Sequence, residues 1–219
     1  NDYINSNSTK MGTCEIKSAN GKYYALWTDS SLQGNILLKS QAFDSSGNAI
    51  SSAPNLLTGA DGKVGNAQSF KFSTLSSGNV VVSWSETGLN WGSYSAKAQI
   101  MDSDGRTLNS LSFTGANNVG NISELSNGNL AIFWNDYALS STRYLKAQIF
   151  DRNGSAVSAT PLTIASSSGS VAIQSAAELS NGKMALFFTE GNTLKTQLFD
   201  TRENTLIAAP TVLTTTGWL

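Results

Sequence analysis

Short apolar segments rich in β-branched and aromatic residues recur along the chain, and turn-forming residues separate them. The most apolar segments are YYALW, VVVSW, LAIFW and MALFF, each of which follows a turn that contains glycine. Nearly continuous apolar runs of this length are typical of strands covered on both faces. No segment shows the 3.6-residue period of an amphipathic helix, so the pattern predicts an all-β protein.

The segments belong to four copies of one unit. An Asn-Gly or Ser-Gly turn marks each copy, with its glycine at Gly21, Gly78, Gly128 or Gly182. The next strand ends in an aromatic, a small polar residue and an acid. A second anchor, K-x-Q-x-x-D, then ends at Asp44, Asp102, Asp151 or Asp200. Asn-Gly is the strongest short hairpin signal, and we expect type I′ turns with a positive φ at both central residues.

Four strands per copy, in an antiparallel meander of about 50 residues, are the pattern of a β-propeller blade. We therefore predict one domain over residues 1–219, a four-bladed β-propeller with four antiparallel strands per blade. The expected blades cover residues 11–58, 66–113, 118–164 and 171–214. A tandem of β-sandwiches would need longer units, and a β-solenoid would have shorter repeats with parallel strands.

Composition narrows the function classes. Charged residues make up 13% of the chain and the net charge is -1, so nucleic acid is not an expected partner. The absence of histidine excludes Ser-His-Asp and Cys-His nucleophiles and imidazole metal sites. Cys14 is the single cysteine, so an internal disulfide is excluded as well.

Few charges and many Ser, Asn, Thr and Gly residues favour a secreted or cell-surface protein. No apolar run reaches the roughly 18 residues that a membrane span needs, so we expect no membrane insertion. The chain begins at Asn1 rather than methionine, which favours a processed product or a part of a larger chain.

The third copy, LSNGNLAIFWNDY…YLKAQIFDRNG, resembles the repeats NG-x-x-V-x-W…Q-x-F-D-x-x-G of large bacterial secreted and surface proteins, which are RTX-like or adhesin-like. The resemblance extends over all four copies and concerns the repeat alone. The calcium-binding RTX nonapeptide GGxGxD is absent from the sequence, so the resemblance implies no calcium site of that kind.

Repeated acids and lysines flank the loop between the second and third strands of each copy, on the face where propellers usually bind ligands. The acids are Asp29, Glu86, Asp136 and Glu190, and the lysines are Lys39, Lys97, Lys146 and Lys195. Residues at matching ends of a hairpin loop face each other across the strands, which favours one ion pair per copy. The alternative is a ring of ligand-binding groups that includes Glu86 and Asp136.

A second set of acids, Glu15, Glu124 and Glu178, lies on the first strand of three copies, where the other copy has Thr74. This strand is nearest the axis of a propeller, and carboxylates there would attract a hard cation such as Ca²⁺. The alternative is that each glutamate lies in water beside its hairpin. We expect no cofactor, with a cation in the central channel as the weaker hypothesis.

The loops that differ between copies hold the candidate ligand-binding residues. The second copy has SETGLNWGSYS, with Asn90, Trp91 and Tyr94, and the third has NDYALSSTRY, with Tyr137 and Tyr144. Aromatic rings beside amides and hydroxyls are a usual means of holding a sugar. These residues predict a stacking platform, and the alternative is that they cap a neighbouring blade.

Together these patterns predict a non-enzymatic binding and adhesion module that recognises a glycan or a protein partner through its loop face. The alternative from another class is a glycosidase, which needs two carboxylates about 5 to 10 Å apart. One acid per copy favours structure over catalysis. A purely architectural domain is the third hypothesis.

Overall fold

The computed structural model describes residues 11–29, 36–57, 66–87, 94–113, 115–137 and 141–215. These residues form seventeen strands, and none of them lies in a helix, which confirms the prediction of an all-β protein. It follows that no helix in this part of the chain is long and apolar enough to cross a membrane.

The chain divides into two compact units, unit 1 (Asn1–Ser112) and unit 2 (Phe113–Leu219), and each contains two antiparallel meander sheets. The first sheet of unit 1 contains β1 (Met11–Ala19), β2 (Lys22–Asp29), β3 (Leu37–Phe43) and β4 (Asn55–Leu56). The second sheet contains β5 (Asn66–Thr74), β6 (Val80–Thr87), β7 (Tyr94–Met101) and β8 (Thr107–Ser112).

Unit 2 repeats this arrangement. The third sheet contains β9 (Ala116–Glu124), β10 (Leu130–Asp136), β11 (Arg143–Phe150) and β12 (Leu162–Ser167). The fourth sheet contains β13 (Val171–Glu178), β14 (Lys183–Glu190), β15 (Thr193–Asp200), β16 (Thr205–Leu206) and β17 (Thr211–Thr215). Both β16 and β17 pair with β15, so the outer strand of this sheet is in two pieces. Four meanders of this kind make the fold β-propeller-like, and the number of blades in a ring stays a prediction.

Each sheet has two faces that differ in the residues they carry. The face with the repeated aromatic and the lysine opposite it is called the anchor face, and it carries Trp27, Trp84, Trp134 or Phe188. The other side of the sheet is called the opposite face. It carries the residue that precedes the repeated aromatic, for example Leu26 or Phe187. The alternation follows from the two-residue period of a strand.

The core of each unit forms by packing the opposite face of one sheet onto the anchor face of the next. In unit 1, Tyr24, Leu26 and Leu38 of the first sheet cluster with Val82 and Trp84 of the second. In unit 2, Phe133 and Ala147 of the third sheet cluster with Met184, Leu186 and Phe199 of the fourth. Burial of apolar area on this scale, at about 25 cal/mol per Å², is the main force that holds paired sheets together.

We expected the second strand of every sheet to be buried on both faces, and this holds for only some of the sheets. All seven residues of β10 are buried, as are Val80 to Glu86 of β6. In β2 and β14, buried residues alternate with half-buried or exposed ones. Sequence alone does not distinguish these cases, because the four strands are about equally apolar and only a packed neighbour sheet buries the second face.

The hairpin turns are of two kinds, which corrects the prediction of a type I′ turn in every copy. Asn20 and Gly21 have φ values of 51° and 71°, and Ala19 pairs with Lys22, so a two-residue turn with two positive φ values forms there. At Gly128 the glycine alone has a positive φ, of 82°, and its N–H donates to the carbonyl of Leu125. That turn has three residues and ends in a glycine bulge.

The aspartate of the second anchor forms the next turn in each sheet. The Oδ1 atom of Asp44 accepts the backbone N–H groups of Ser46 and Asn48, both at 2.9 Å. Hydrogen bonds from Asn48 lower the pKa of Asp44, because they favour the ionised carboxylate. Asp200 makes a similar turn, in which Glu203 replaces the glycine of the other copies and the positive φ, of 52°, lies one residue later at Asn204.

The glutamine of the second anchor ties the outer segment of its sheet to the third strand. Gln148 donates to the carbonyl of Ser158 at 2.7 Å, and Gln41 donates to the carbonyl of Ser51 at 3.0 Å. Gln197 makes the same bond to the carbonyl of Ala208. These three side chains are buried, so each bond satisfies an amide donor that is largely removed from water.

Candidate functional site

The four repeated acids each form an ion pair with the lysine of their own sheet. The distances are 2.5 Å for Asp29–Lys39, 2.8 Å for Glu86–Lys97, 2.5 Å for Asp136–Lys146 and 2.7 Å for Glu190–Lys195. Each lysine lies opposite the aromatic that precedes the acid by two residues, so the pair is diagonal across the hairpin. The prediction of one cross-strand ion pair per copy is confirmed.

The acids of the pairs in the second and third sheets, Glu86 and Asp136, are the most deeply buried of the four. Glu86 accepts the indole N–H of Trp84 at 2.7 Å and also contacts Lys97, so both of its oxygens have partners. Asp136 is one methylene shorter, and its Oδ1 atom and the Nε1 atom of Trp134 are buried without a hydrogen-bond partner among the described residues. Asp136 is therefore a buried carboxylate that is held by one lysine and retains unused accepting capacity.

Aromatic and cationic side chains surround the end of the hairpin that carries Asp136. The guanidinium carbon of Arg143 lies 4.9 Å from the ring centre of Tyr137, and the Nζ atom of Lys146 lies 5.6 Å from that of Tyr144. Tyr137 is 41% exposed, and its backbone N–H donates to the side chain of Asn117 at 2.7 Å. These five residues, Asp136, Tyr137, Arg143, Tyr144 and Lys146, are called the third-sheet cluster below.

A second acid of unit 2 is brought to the same end of the fold as the third-sheet cluster. Asn135, next to Asp136, donates from its buried amide to the carbonyl of Val171 at 2.6 Å. Val171 is in turn the cross-strand partner of Glu190. Glu190 is more exposed than Asp136, with a side-chain exposure of 29% against 7%. Unit 2 therefore presents a buried and a solvent-facing carboxylate, each beside a lysine.

Sequence reasoning did not single out Asn135, although a signal was present. The position between the aromatic and the acid is occupied by Thr28, Ser85 and Thr189 in the other copies and by an amide only here. An amide reaches farther than a hydroxyl, which is why Asn135 can bond to the neighbouring sheet.

The structure describes only some of the other predicted ligand-binding residues. Asn90 and Trp91 lie outside the described residues, so the predicted stacking platform stays a prediction. Tyr94 begins β7, where its backbone pairs with Thr87. Tyr137 and Tyr144 lie together in the third-sheet cluster, as their common loop requires.

The three glutamates proposed as cation ligands have separate surroundings. Glu178 accepts the backbone N–H of Ser126 at 2.6 Å and its hydroxyl at 3.0 Å, so it caps the turn of the adjacent sheet. Glu15 and Glu124 are half-buried. Within the part of the chain that the structure describes, no three acid or cysteine side chains are grouped closely enough to hold a metal ion. A cation in a central channel stays a prediction.

Comparison with known proteins gives a likeness of fold. No family model and no curated protein sequence matches the chain. Among solved structures, an α-L-arabinanase from Penicillium chrysogenum complexed with arabinobiose has a TM-score of 0.58 and 15% identity over 93% of this chain. An α-L-arabinofuranosidase from Fusarium graminearum in complex with an iminosugar inhibitor has a TM-score of 0.56 and 10% identity over 94%.

A thermostable family-43 glycoside hydrolase is also similar, with a TM-score of 0.50 and 10% identity over 90% of this chain. The chain spans 66% of the length of the arabinanase, 68% of the arabinofuranosidase and 71% of the family-43 enzyme. At this level of identity the likeness establishes a shared fold.

These comparisons correct the functional prediction made from sequence. The expectation of a non-enzymatic binding and adhesion module is wrong, because the similar structures are glycoside hydrolases, and they favour the glycosidase alternative. The error arose from the even distribution of acids, which indicates ion pairs correctly. An ion-paired acid can nevertheless take part in catalysis, so this distribution does not exclude an enzyme.

Proposed function

We propose that this protein is a carbohydrate hydrolase whose substrate binds at the third-sheet cluster. Two carboxylates and two tyrosines at one end of unit 2 carry the proposal, on a fold that the chain shares with glycoside hydrolases. Glycoside hydrolysis needs a pair of carboxyl groups, one to protonate the leaving oxygen and one to activate water or attack the sugar. Asp136 and Glu190 are the pair that the bonds through Asn135 and Val171 bring to the same end.

Asp136 is assigned to the role that requires an ionised carboxylate. Lys146 lies 2.5 Å from its Oδ2 atom, so the lysine holds the carboxylate in position. Its Oδ1 atom accepts no hydrogen bond from the residues that the structure describes and can accept one from a water or a sugar hydroxyl. Glu190, which is the more exposed acid, is assigned to the proton transfer at the leaving oxygen.

The tyrosines supply the surface on which a sugar ring can lie. Tyr137 is exposed, and Arg143 packs against its ring, which limits the orientations that the ring can adopt. A rigid aromatic face matches the apolar face of a pyranose or furanose, while the amide of Asn117 and the guanidinium of Arg143 provide hydrogen-bonding groups. The similar arabinanase was solved with arabinobiose, so arabinose-containing oligosaccharides are the first substrates to test.

The test is hydrolysis of arabinan, of arabino-oligosaccharides and of an aryl α-L-arabinofuranoside by the purified chain. We expect Asp136→Asn and Glu190→Gln each to lower kcat/KM by about 10²- to 10⁴-fold, the usual contribution of a positioned acid or base. Tyr137→Ala should raise KM more than it lowers kcat, because stacking contributes to binding in the ground state as well as in the transition state.

Asp29→Asn is the matched control, because Asp29 forms the same lysine pair in unit 1 with the same separation of 2.5 Å. We expect this variant to retain kcat/KM within about twofold, since the loss of a partly exposed ion pair has only a small effect on stability. Hydrolysis that falls equally in Asp29→Asn and Asp136→Asn would contradict the assignment. An absence of hydrolysis across glycans of several linkages would contradict the proposed function.

A further inference from the structure

The chain contains four Asn-Gly pairs, and one of them differs from the others in its hydrogen bonds. The pairs are Asn20-Gly21, Asn127-Gly128, Asn153-Gly154 and Asn181-Gly182. In such a pair the backbone nitrogen of the glycine can attack the side-chain amide of the asparagine, because glycine has no Cβ atom to hinder the approach. This reaction contributes to the thermal lability of asparagine in proteins. Whether a pair reacts in the folded protein depends on how its two groups are held.

In three of the pairs the glycine N–H donates a hydrogen bond to the backbone carbonyl three residues before it. The bonds run from Gly128 to Leu125 at 2.8 Å, from Gly154 to Asp151 at 2.9 Å and from Gly182 to Leu179 at 2.9 Å. The nitrogen must leave its bond before it can turn towards the asparagine side chain. Each of these bonds therefore opposes the reaction.

The asparagine side chain is also held in two of these three pairs. The Oδ1 atom of Asn127 accepts the backbone N–H of Asn129 at 2.9 Å. The Oδ1 atom of Asn181 accepts the backbone N–H of Lys183 at 3.1 Å. Local bonds of this kind fix the orientation of the side-chain amide, so both reacting groups are restrained in these turns.

The pair Asn20-Gly21 lacks these restraints. It forms the two-residue turn between β1 and β2, in which the φ values are 51° and 71°. Within the described part of the chain, the Gly21 N–H and the Asn20 side chain make no hydrogen bond. Both residues are exposed, and a Cβ atom on Gly21 would have no neighbouring atom within 4 Å. No hydrogen bond then has to break before the two reacting groups meet, and water has access to them.

We infer that Asn20 is a site of spontaneous deamidation in the folded protein, and that the other Asn-Gly pairs are protected. The nitrogen of Gly21 forms a bond to the Cγ atom of Asn20, and the side-chain nitrogen leaves as ammonia with the proton that the attacking nitrogen gives up. Water then opens the cyclic imide at either carbonyl, which yields aspartate or isoaspartate at position 20. Water is the sole co-reactant. This inference is independent of the proposed hydrolase activity.

The modification would change a turn that contacts the second sheet of unit 1. A Cβ atom added to Gly78 would overlap with the Nδ2 atom of Asn20, so this amide rests against the turn between β5 and β6. Deamidation places a carboxylate at that contact, and isoaspartate also adds a methylene to the backbone of the turn. The turn joins the paired residues Ala19 and Lys22 through two residues, so the longer backbone should disturb the register at this end of the hairpin.

The experiment is incubation of the natural chain at mildly alkaline pH, followed by peptide mapping with mass spectrometry. The Asn-Gly pairs serve as matched controls for one another, because they share the same two residues. We expect deamidation at Asn20 to be at least about fivefold faster than at Asn127 or Asn181, the factor that corresponds to one net hydrogen bond of about 1 kcal/mol. Asn153 should be as slow as these two. Deamidation at Asn20 that is no faster than at the other sites would overturn the inference.

The same incubation in concentrated urea separates the effect of the fold from that of the local sequence. We expect the rates at the four pairs to become similar there, because unfolding removes the bonds that hold the glycine nitrogens of Gly128, Gly154 and Gly182. This convergence should come from faster reaction at the three protected pairs. A preference for Asn20 that persists unchanged in urea would show that the local sequence causes it, and would overturn the inference.

Discussion

Trp134 and Asp136 lie two residues apart on β10, both almost fully buried, yet the indole N–H and the Oδ1 atom make no hydrogen bond within the described part of the chain. In the second sheet, Trp84 and Glu86 at the same positions are bonded at 2.7 Å. The difference is one methylene in the acid. An aspartate that reaches its lysine is too short to reach the indole as well, so two buried polar atoms are left unsatisfied.

This relationship predicts opposite effects of two conservative substitutions. Asp136→Glu should stabilise the protein by about 1 kcal/mol, because the longer side chain can accept the indole N–H of Trp134. Glu86→Asp should destabilise it by about 1 to 3 kcal/mol, because it recreates the unsatisfied pair. Chemical denaturation of the two variants beside the natural chain provides the measurement. A loss of stability in both would show that acid length is not the deciding factor.

The turn at Gly128 should tolerate no β-branched residue. Its φ of 82° lies in the left-handed region, so Gly128→Val should lower the free energy of unfolding by more than about 1 kcal/mol. Gly169→Val is the control, because Gly169 lies in a turn without a positive φ and has only the Ser167 hydroxyl near its Cβ position. Equal melting temperatures for these two variants would contradict the turn assignment.

The glutamine of the second anchor should contribute to stability in proportion to its burial. Gln148→Ala removes the donor to the carbonyl of Ser158 and should cost about 1 to 3 kcal/mol, because the bond is part-buried. Among the described residues, the Gln99 side chain accepts a bond from the exposed Thr107 hydroxyl alone, so Gln99→Ala should cost less. Limited proteolysis adds a local readout, since Gln148→Ala should open the segment around Ser158 to cleavage. Equal losses in the two variants would contradict the role of the buried bond.

Tyr24 makes the stability of the folded protein depend on pH in alkaline solution. Burial, and then the negative charges of Asp102 and Asp104, raise the pKa of Tyr24 in the folded state. When the pKa of a group is higher in the folded state than in the unfolded state, its contribution to stability is complete below the unfolded pKa. The protein loses that contribution as the pH rises from the unfolded pKa through the folded pKa, which for Tyr24 begins at about pH 10. Tyr24→Phe should therefore reduce the loss of stability between about pH 10 and 12.

At neutral pH the same substitution should be close to neutral, because the Tyr24 hydroxyl is buried without a hydrogen-bond partner. Thermal unfolding at a series of pH values measures both effects. Tyr23→Phe serves as the matched control, and a parallel alkaline curve for the two variants would refute the assignment to Tyr24.

Local sequence signals predicted the strands and the ion pairs because these depend on residues close in the chain. Asp29 and Lys39 flank one hairpin, and the hairpin alone brings them together. The turn type was not predictable from Asn-Gly itself, since Asn20-Gly21 and Asn127-Gly128 have the same two residues. What differs is the number of residues between the last paired positions, Ala19–Lys22 in one and Glu124–Leu130 in the other.

Burial and the candidate site depended on contacts that a single sequence does not reveal. Phe133 and Phe187 occupy the same position in neighbouring copies, yet one is fully buried and the other 39% exposed. Asp136 and Glu190 are likewise brought to one end by the bond from Asn135 to Val171, which joins different sheets. Contacts between sheets decide both features, and the repeat pattern describes each sheet separately.

The glutamine and aspartate anchors have a consequence for how such a chain can change in length. In the described part of the chain, the side chains of Gln41 and Asp44 bond to residues 46 to 51 of their own sheet. The side chains of Gln148 and Asp151 do the same with residues 153 to 158. A duplication that copies one unit therefore also copies the partners of these aspartate and glutamine side chains. Genes encoding this unit can gain or lose whole copies without leaving these side chains unbonded, whereas the apolar core of every copy still requires a neighbouring sheet.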